Sequence, residues 1–188
     1  MIGVYDSGLG GILELDKIHR DNPKSDIVYL GDQKNAPYGL KSDAELVKIY
    51  DHNVAMFKTL DIKHLILACN TLCSTIDLKK EETIQTYDLI SHTVENINFQ
   101  NIKKVAVFAT RQTILKKRYQ RLLKEKGLKV RGVALDDLAK MLEDFEDPKK
   151  IETYLIRIFD SLEDDFDAII LGCTHYPIVK DIFKEYYQ

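Results

Sequence analysis

Two cysteines stand in matching settings. Residues 65–71 read LILACNT and residues 169–175 read IILGCTH. Each stretch is a short apolar run that ends in a small residue and a cysteine. Hydrogen-bonding side chains follow: Asn70 and Thr71 after Cys69, Thr174 and His175 after Cys173. An apolar run of this length reads as a strand buried on both faces, and its carboxyl end is where ligands bind in open α/β sheets. One such cysteine reads more readily as a small buried hydrophobe than as a reactive group. Two in the same setting suit another chemistry, in which one thiolate takes a proton from one face of a carbon and a thiol on the opposite face returns one. A free thiol titrates near about 8.5, so each needs a neighbour or a helix start to become an anion. Both precede predicted helices, whose macrodipole favours an anion. Cys73 lies one turn beyond Cys69. A Cys-x3-Cys pair can bind metal, but no second pair with zinc spacing exists, so no metal is expected and Cys73 reads as a packed thiol.

The elements that must position these groups alternate. Residues 2–5 form a first strand pattern, followed by Asp6-Ser7-Gly8-Leu9-Gly10-Gly11 and a helical pattern carrying Ile12, Leu15 and Ile18. Glycines there permit tight turns and leave amide N–H groups facing an anion, although the dinucleotide spacing GxGxxG is absent. Asp6 and Ser7 also fit an ordinary N-cap pair. Residues 26–30 make a second strand, and 31–39 a loop in which Pro37 and Gly39 bracket Tyr38. That bracket either fixes where the tyrosine hydroxyl points or is a plain turn around a packed ring. Ser42 and Glu45 form a capping box for a helix over 42–60. A strand at 65–68 leads to a weak helix that is heavily charged at 79–82. A short strand at 86–90 then enters a second unit. Further strands are predicted at 105–108, 128–133 and 168–172. Helices are predicted at 113–126 (basic, stopped by Gly127), 136–144 and 147–162 (Pro148 in its first turn), and a closing helix with Pro177 in its first turn runs to 188. Alternating strands and helices predict parallel α/β sheets. The expected architecture is two small domains facing each other across an active-site cleft: 1–85, then 86–175, with the closing helix 176–188 free to pack back on the first.

Composition excludes several classes. With 45% hydrophobic and 30% charged residues, the chain has enough apolar surface for a core. A net charge of −3 gives no reason to expect nucleic acid as a partner. No apolar run approaches membrane-spanning length, so no membrane partner is expected. Met1 runs straight into the first strand pattern, which predicts no signal peptide. Three cysteines without export signals predict reduced thiols in a cytoplasmic protein.

The sequence resembles the aspartate/glutamate racemase family. The matching pieces are Asp6-Ser7-Gly8 with Gly10-Gly11, Gly31-Asp32, Pro37-Tyr38-Gly39, Lys41-Ser42, Cys69-Asn70-Thr71, Ala109-Thr110 with Thr113, and the run from Leu171-Gly172-Cys173 through Thr174-His175-Tyr176-Pro177. They occur in the family's order across nearly the whole chain. The resemblance implies cofactor-independent interconversion of L- and D-glutamate in a cleft between two α/β domains, supplying D-glutamate for peptidoglycan. It implies that Cys69 and Cys173 are the catalytic bases, with Asp6 beside the first and His175 beside the second. Asn70, Thr71, Thr113 and Thr174 match groups that hold the α-carboxylate and amine. Ser7, Pro37, Tyr38 and Gly39 match the part of the site that holds the distal carboxylate. Glu143 falls near an acidic residue that supports the histidine. The alternatives within the superfamily are an aspartate racemase or a cofactor-free decarboxylase, and outside catalysis a shortened paralogue that binds a dicarboxylate or a partner. A decarboxylase needs only one thiol, so the presence of two argues against it.

The family's chain normally continues past the Cys-Thr-His segment and returns to complete the first domain. A three-stranded first unit without that return leaves an edge and a face to cover. A homodimer is therefore expected, with apolar contacts from the first unit and from Ile178, Ile182 and Phe183 at near-helical spacing; the alternative is that these three residues pack on their own domain.

Overall fold

The apolar runs become the strands of two parallel sheets. The computed structural model describes residues 1–76, 83–163 and 165–187. In the first sheet β1 (Ile2–Asp6) lies between β2 (Ile27–Gly31) and β3 (His64–Leu67), and β4 (Gln85–Asp88) flanks β3. In the second, β5 (Lys104–Ala109) lies between β6 (Lys129–Ala134) and β7 (Ala168–Gly172). Every pairing is parallel. The winding direction reverses between β1 and β3 and again between β5 and β7, and such switch points open a crevice at the strands' carboxyl ends. Asp6 and Cys69 stand at the first switch point, Thr110 and Cys173 at the second.

The helices are α1 (Ile12–Asp21), α2 (Asp43–Thr59), α3 (Asn70–Thr75), α4 (Leu89–Asn96), α5 (Arg111–Lys116), α6 (Arg118–Glu125), α7 (Leu138–Glu143), α8 (Pro148–Asp160) and α9 (Lys180–Tyr186). The capping box on α2 forms as predicted, with Ser42 and Glu45 each bonding the other's backbone N–H. Such a cap contributes about 1 kcal/mol. Asp147 caps α8, with Pro148 in the first turn. One buried cluster joins Tyr5, Leu65 and Leu67 of the first sheet to Val105, Val107 and Ile170 of the second. A second cluster gathers Phe108, Phe159 and Phe183. The Phe108 and Phe183 rings meet edge to face with centroids 5.1 Å apart, an arrangement the ring quadrupoles favour.

Three expectations change. The strand predicted to enter a second unit instead completes the first sheet: Leu65 pairs with Thr86 and Ile66 with Tyr87. A boundary between residues 85 and 86 would cut this strand, and among the described residues the first sheet has four strands with β4 at its edge. The helix predicted over 113–126 is two helices, broken at Lys117, which takes a left-handed conformation with φ of 56°. The closing helix packs on the second sheet: Phe183 is 3% exposed in the second cluster and Ile182 lies against it. Phe183 is thus spent on its own core and is not available to a dimer contact, while Ile178 remains 58% exposed. The charged stretch 79–82 lies outside the described residues.

Candidate active site

A single cleft collects residues from both sheets. Its walls are Ser7 after β1, Ala36, Pro37, Tyr38 and Gly39 after β2, Cys69, Asn70 and Thr71 after β3, Thr110 after β5, Ala139, Lys140 and Glu143 of α7, and Cys173, Thr174 and His175 after β7. The two thiols predicted to work as a pair therefore border the same space. Two expected residues stand behind the wall. Asp6 is fully buried and accepts the N–H groups of Gly8 and Gly11, both at 3.1 Å. Thr113 is also buried, because Thr110 caps α5 and stands between it and the cleft. The Thr110 hydroxyl lies 3.0 Å from those of both Thr71 and Thr113.

The turn after β1 shows why glycine is needed. A Cβ built on Gly10 would lie 2.8 Å from Cε1 and Nδ1 of His175 and closer still to Thr174 Oγ1. One on Gly8 would lie 2.6 Å from Glu143 Oε1. The bare backbone of the first unit thus lets the histidine and carboxylate of the second approach.

Each thiol has its own neighbours. Cys69 caps α3, its carbonyl accepting the Cys73 N–H at 2.9 Å, and its Sγ lies 3.5 Å from Ser7 Oγ. Cys173 precedes only a short 3-10 turn, Tyr176–Val179, and its Sγ lies 3.7 Å from His175 Nδ1. On the far side of that ring, Nε2 is 2.9 Å from Glu143 Oε1, at ion-pair distance but out of line for a ring N–H bond. Cys73 is fully buried and donates to the Leu67 carbonyl at 3.2 Å, as a packed thiol does.

The expected thiolate stabilisation is outweighed. Burial pushes the Cys69 thiol up to about 12, the Asp6 charge adds to this, and hydrogen bonds from Ser7 and the Leu72 backbone oppose it. Burial raises Cys173 further still, against a bond from the His175 backbone. Burial also raises the Asp6 carboxyl, with the Gly8 and Gly11 amides opposing. Removing a charge from water costs more here than one short helix and one turn return. Burial therefore disfavours the thiolate at both positions in the free protein, and a ligand that brings positive charge works against that penalty.

Residues that composition and spacing did not single out complete the site. Thr110 and Lys140 line the cleft, and Glu143 reaches His175 from α7. The Tyr119 hydroxyl donates to Asn70 Oδ1 at 2.7 Å, leaving the asparagine NH2 to donate elsewhere. Arg118 pairs with Asp88 at 2.9 Å and donates to the Cys73 carbonyl, tying α6 to β4 and α3. Among the described residues no group of three or more His, Cys, Asp or Glu is arranged to hold a metal ion, and no helix is long and apolar enough to cross a membrane.

Comparison with known proteins agrees with this arrangement. Residues 14–188 match the family model Asp/Glu/Hydantoin racemase. A glutamate racemase from Thermoanaerobacter pseudethanolicus is 32% identical over 189 aligned residues, covering 98% of this chain and 71% of that one. A glutamate racemase isoform from Bacillus anthracis superposes with a TM-score of 0.92 at 32% identity, covering 100% of this chain and 73% of that one. The glutamate racemase of Francisella tularensis, solved in complex with D-glutamate, has a TM-score of 0.88 at 30% identity, covering 98% and 72%.

Proposed function

The chain belongs to the Asp/Glu/hydantoin racemase family, and from that premise we propose that it is a cofactor-independent glutamate racemase. The observation that carries the reading is the pair of cysteines from two different sheets on one cleft. Relatives named glutamate racemase, aligned over nearly the whole chain, favour glutamate over the rival substrates.

Cys69 and Cys173 are the two bases, one on each face of the α-carbon. Asn70, Thr71, Thr110 and Thr174 supply neutral donors for the α-carboxylate, and negative charge developing on that carboxylate during proton removal is what such donors stabilise. Ser7 and the backbone of Pro37, Tyr38 and Gly39 form the wall for the distal carboxylate. Thr113 and Asp6 act from behind: Thr113 orients Thr110, and Asp6 holds the turn before α1. His175 is placed to take the Cys173 proton, and Glu143 lies where it would stabilise the resulting imidazolium. The bound ammonium brings positive charge to the α-carbon between the thiols, which offsets the burial penalty on the thiolate. We further propose a cytoplasmic enzyme that supplies D-glutamate for peptidoglycan. We also propose a homodimer whose apolar contact is the exposed Leu9, Ile12 and Leu13 at the start of α1.

Optical rotation tests the reaction. Purified protein, with a chelator and without pyridoxal phosphate, should drive L- and D-glutamate to the same racemic end point. No change from either enantiomer would overturn the reading.

A further inference from the structure

Behind the cleft wall lies a closed hydrogen-bond network that no step above uses. Asp32 follows β2 and is 8% exposed, and Tyr38 is 2% exposed. Asp32 Oδ2 lies 2.6 Å from the Tyr38 hydroxyl and 3.0 Å from Asn53 Nδ2, and Asn35 Nδ2 reaches both carboxylate oxygens at 3.0 and 2.9 Å. The Tyr5 hydroxyl lies 2.6 Å from that of Tyr38 and 2.8 Å from Asn53 Nδ2. These donors hold the Asp32 carboxyl below its ordinary range despite burial.

Proton assignment in this network has one solution. An ionised carboxylate only accepts, so the Tyr38 hydroxyl donates to Asp32. Tyr38 oxygen then accepts from Tyr5, and Tyr5 oxygen accepts from Asn53. The two N–H bonds of Asn53 are divided between Tyr5 and Asp32. Tyr38 therefore has no proton left for a ligand, and its side chain serves as an anchor for the stretch that lines the cleft.

We propose that Asp32, with Asn53 and Tyr5, is a positioning group that pins the wall formed by Pro37, Tyr38 and Gly39 and so sets the side-chain length the cleft accepts. The anchor ties the loop after β2 to β1 and α2, so the wall cannot drift. Glutamate and aspartate differ by one methylene, and a misplacement of about 1 Å costs on the order of 100-fold in rate. A fixed wall therefore discriminates between them, and a loosened one does not. The proposal rests on the racemase reading for its choice of ligands.

The test compares wild type with Asp32→Asn and Tyr38→Phe, using glutamate and aspartate. Asp32→Asn keeps the size but faces the donors with an NH2 group; Tyr38→Phe keeps the ring and removes the anchor. The glutamate-to-aspartate ratio of kcat/KM, and the ratio of Kd values by calorimetry, should each fall about tenfold or more in both variants. Partial unfolding lowers both substrates by one factor and leaves the ratios unchanged, so the ratios isolate positioning. Unchanged ratios in both variants, or a wild type with no preference in binding, would overturn the proposal. A wild type that binds glutamate in preference but turns neither over would sink the racemase reading and leave this one standing.

Discussion

Gly10→Ala tests how closely the two units must approach. The new Cβ would start 2.8 Å from the His175 ring, and ordinary contact begins at 3.4 Å. The ring must retreat by about 0.6 Å, or the turn after β1 must shift by as much, and the closer Thr174 hydroxyl must also move. Neither neighbour is the loose end of a long side chain: both are buried on the segment that carries Cys173. Catalytic geometry that is wrong by about 1 Å costs on the order of 100-fold. The expected outcome is a fall in kcat of roughly 10- to 100-fold, with a folded protein by circular dichroism and a fall in Tm of a few degrees. Steady-state kinetics beside a melting curve makes the measurement. A folded Gly10→Ala protein with kcat within about twofold of wild type would refute the reasoning, because a one-pKa-unit-sized effect of about 1.4 kcal/mol already gives tenfold.

The remaining predictions concern the thiols and one partly buried acid. Cys69→Ala and Cys173→Ala should each abolish racemisation, whereas Cys73→Ala should keep most of it; a polarimetric assay of the three variants checks this. Alkylation by iodoacetamide should be slow at pH 7 and should rise steadily with pH through about 10 without a plateau, because burial holds Cys69 near 12. A plateau near pH 7, followed by mass spectrometry, would show a preformed thiolate. Glu14 on α1 has a buried Oε2 without a partner, and burial, with the Asp6 charge adding to it, pushes its carboxyl up to about 7. An acid raised in the fold contributes stability below its unfolded value of about 4.5 that is lost as pH rises through about 7. Glu14→Gln should therefore stabilise by roughly 2–3 kcal/mol at pH 8, or about 5–10 °C in Tm, and by almost nothing at pH 4.

The sequence made the frame of the site legible where the signal was local. The apolar runs before Cys69 and Cys173 became β3 and β7, and Ser42 with Glu45 capped α2 as read. Features that depend on tertiary surroundings were not legible. β4 is four residues with only one large apolar side chain, so its pairing with β3 leaves no pattern. Lys117 breaks the predicted helix without a glycine to mark the site. The break delivers Arg118 to Asp88 and Tyr119 to Asn70, partners that no spacing announces. Thr113 and Thr110 are both threonines near one strand end, and only the cap on α5 decides which faces the cleft. The charge state of the thiols is likewise set by burial, which the residues around Cys69 do not encode.

The central claim is that two thiols serve opposite faces of one carbon, and proton bookkeeping in D2O tests it most directly. L-Glutamate is incubated with the protein in D2O, and both enantiomers are recovered at early conversion for mass analysis. In a two-thiol mechanism the thiol facing the product side carries a solvent-derived deuteron. Newly formed D-glutamate should then hold deuterium at the α-carbon while recovered L-glutamate keeps its proton, and the reverse should hold starting from D-glutamate. Deuterium appearing in the recovered starting enantiomer as fast as in the product would contradict the two-thiol account.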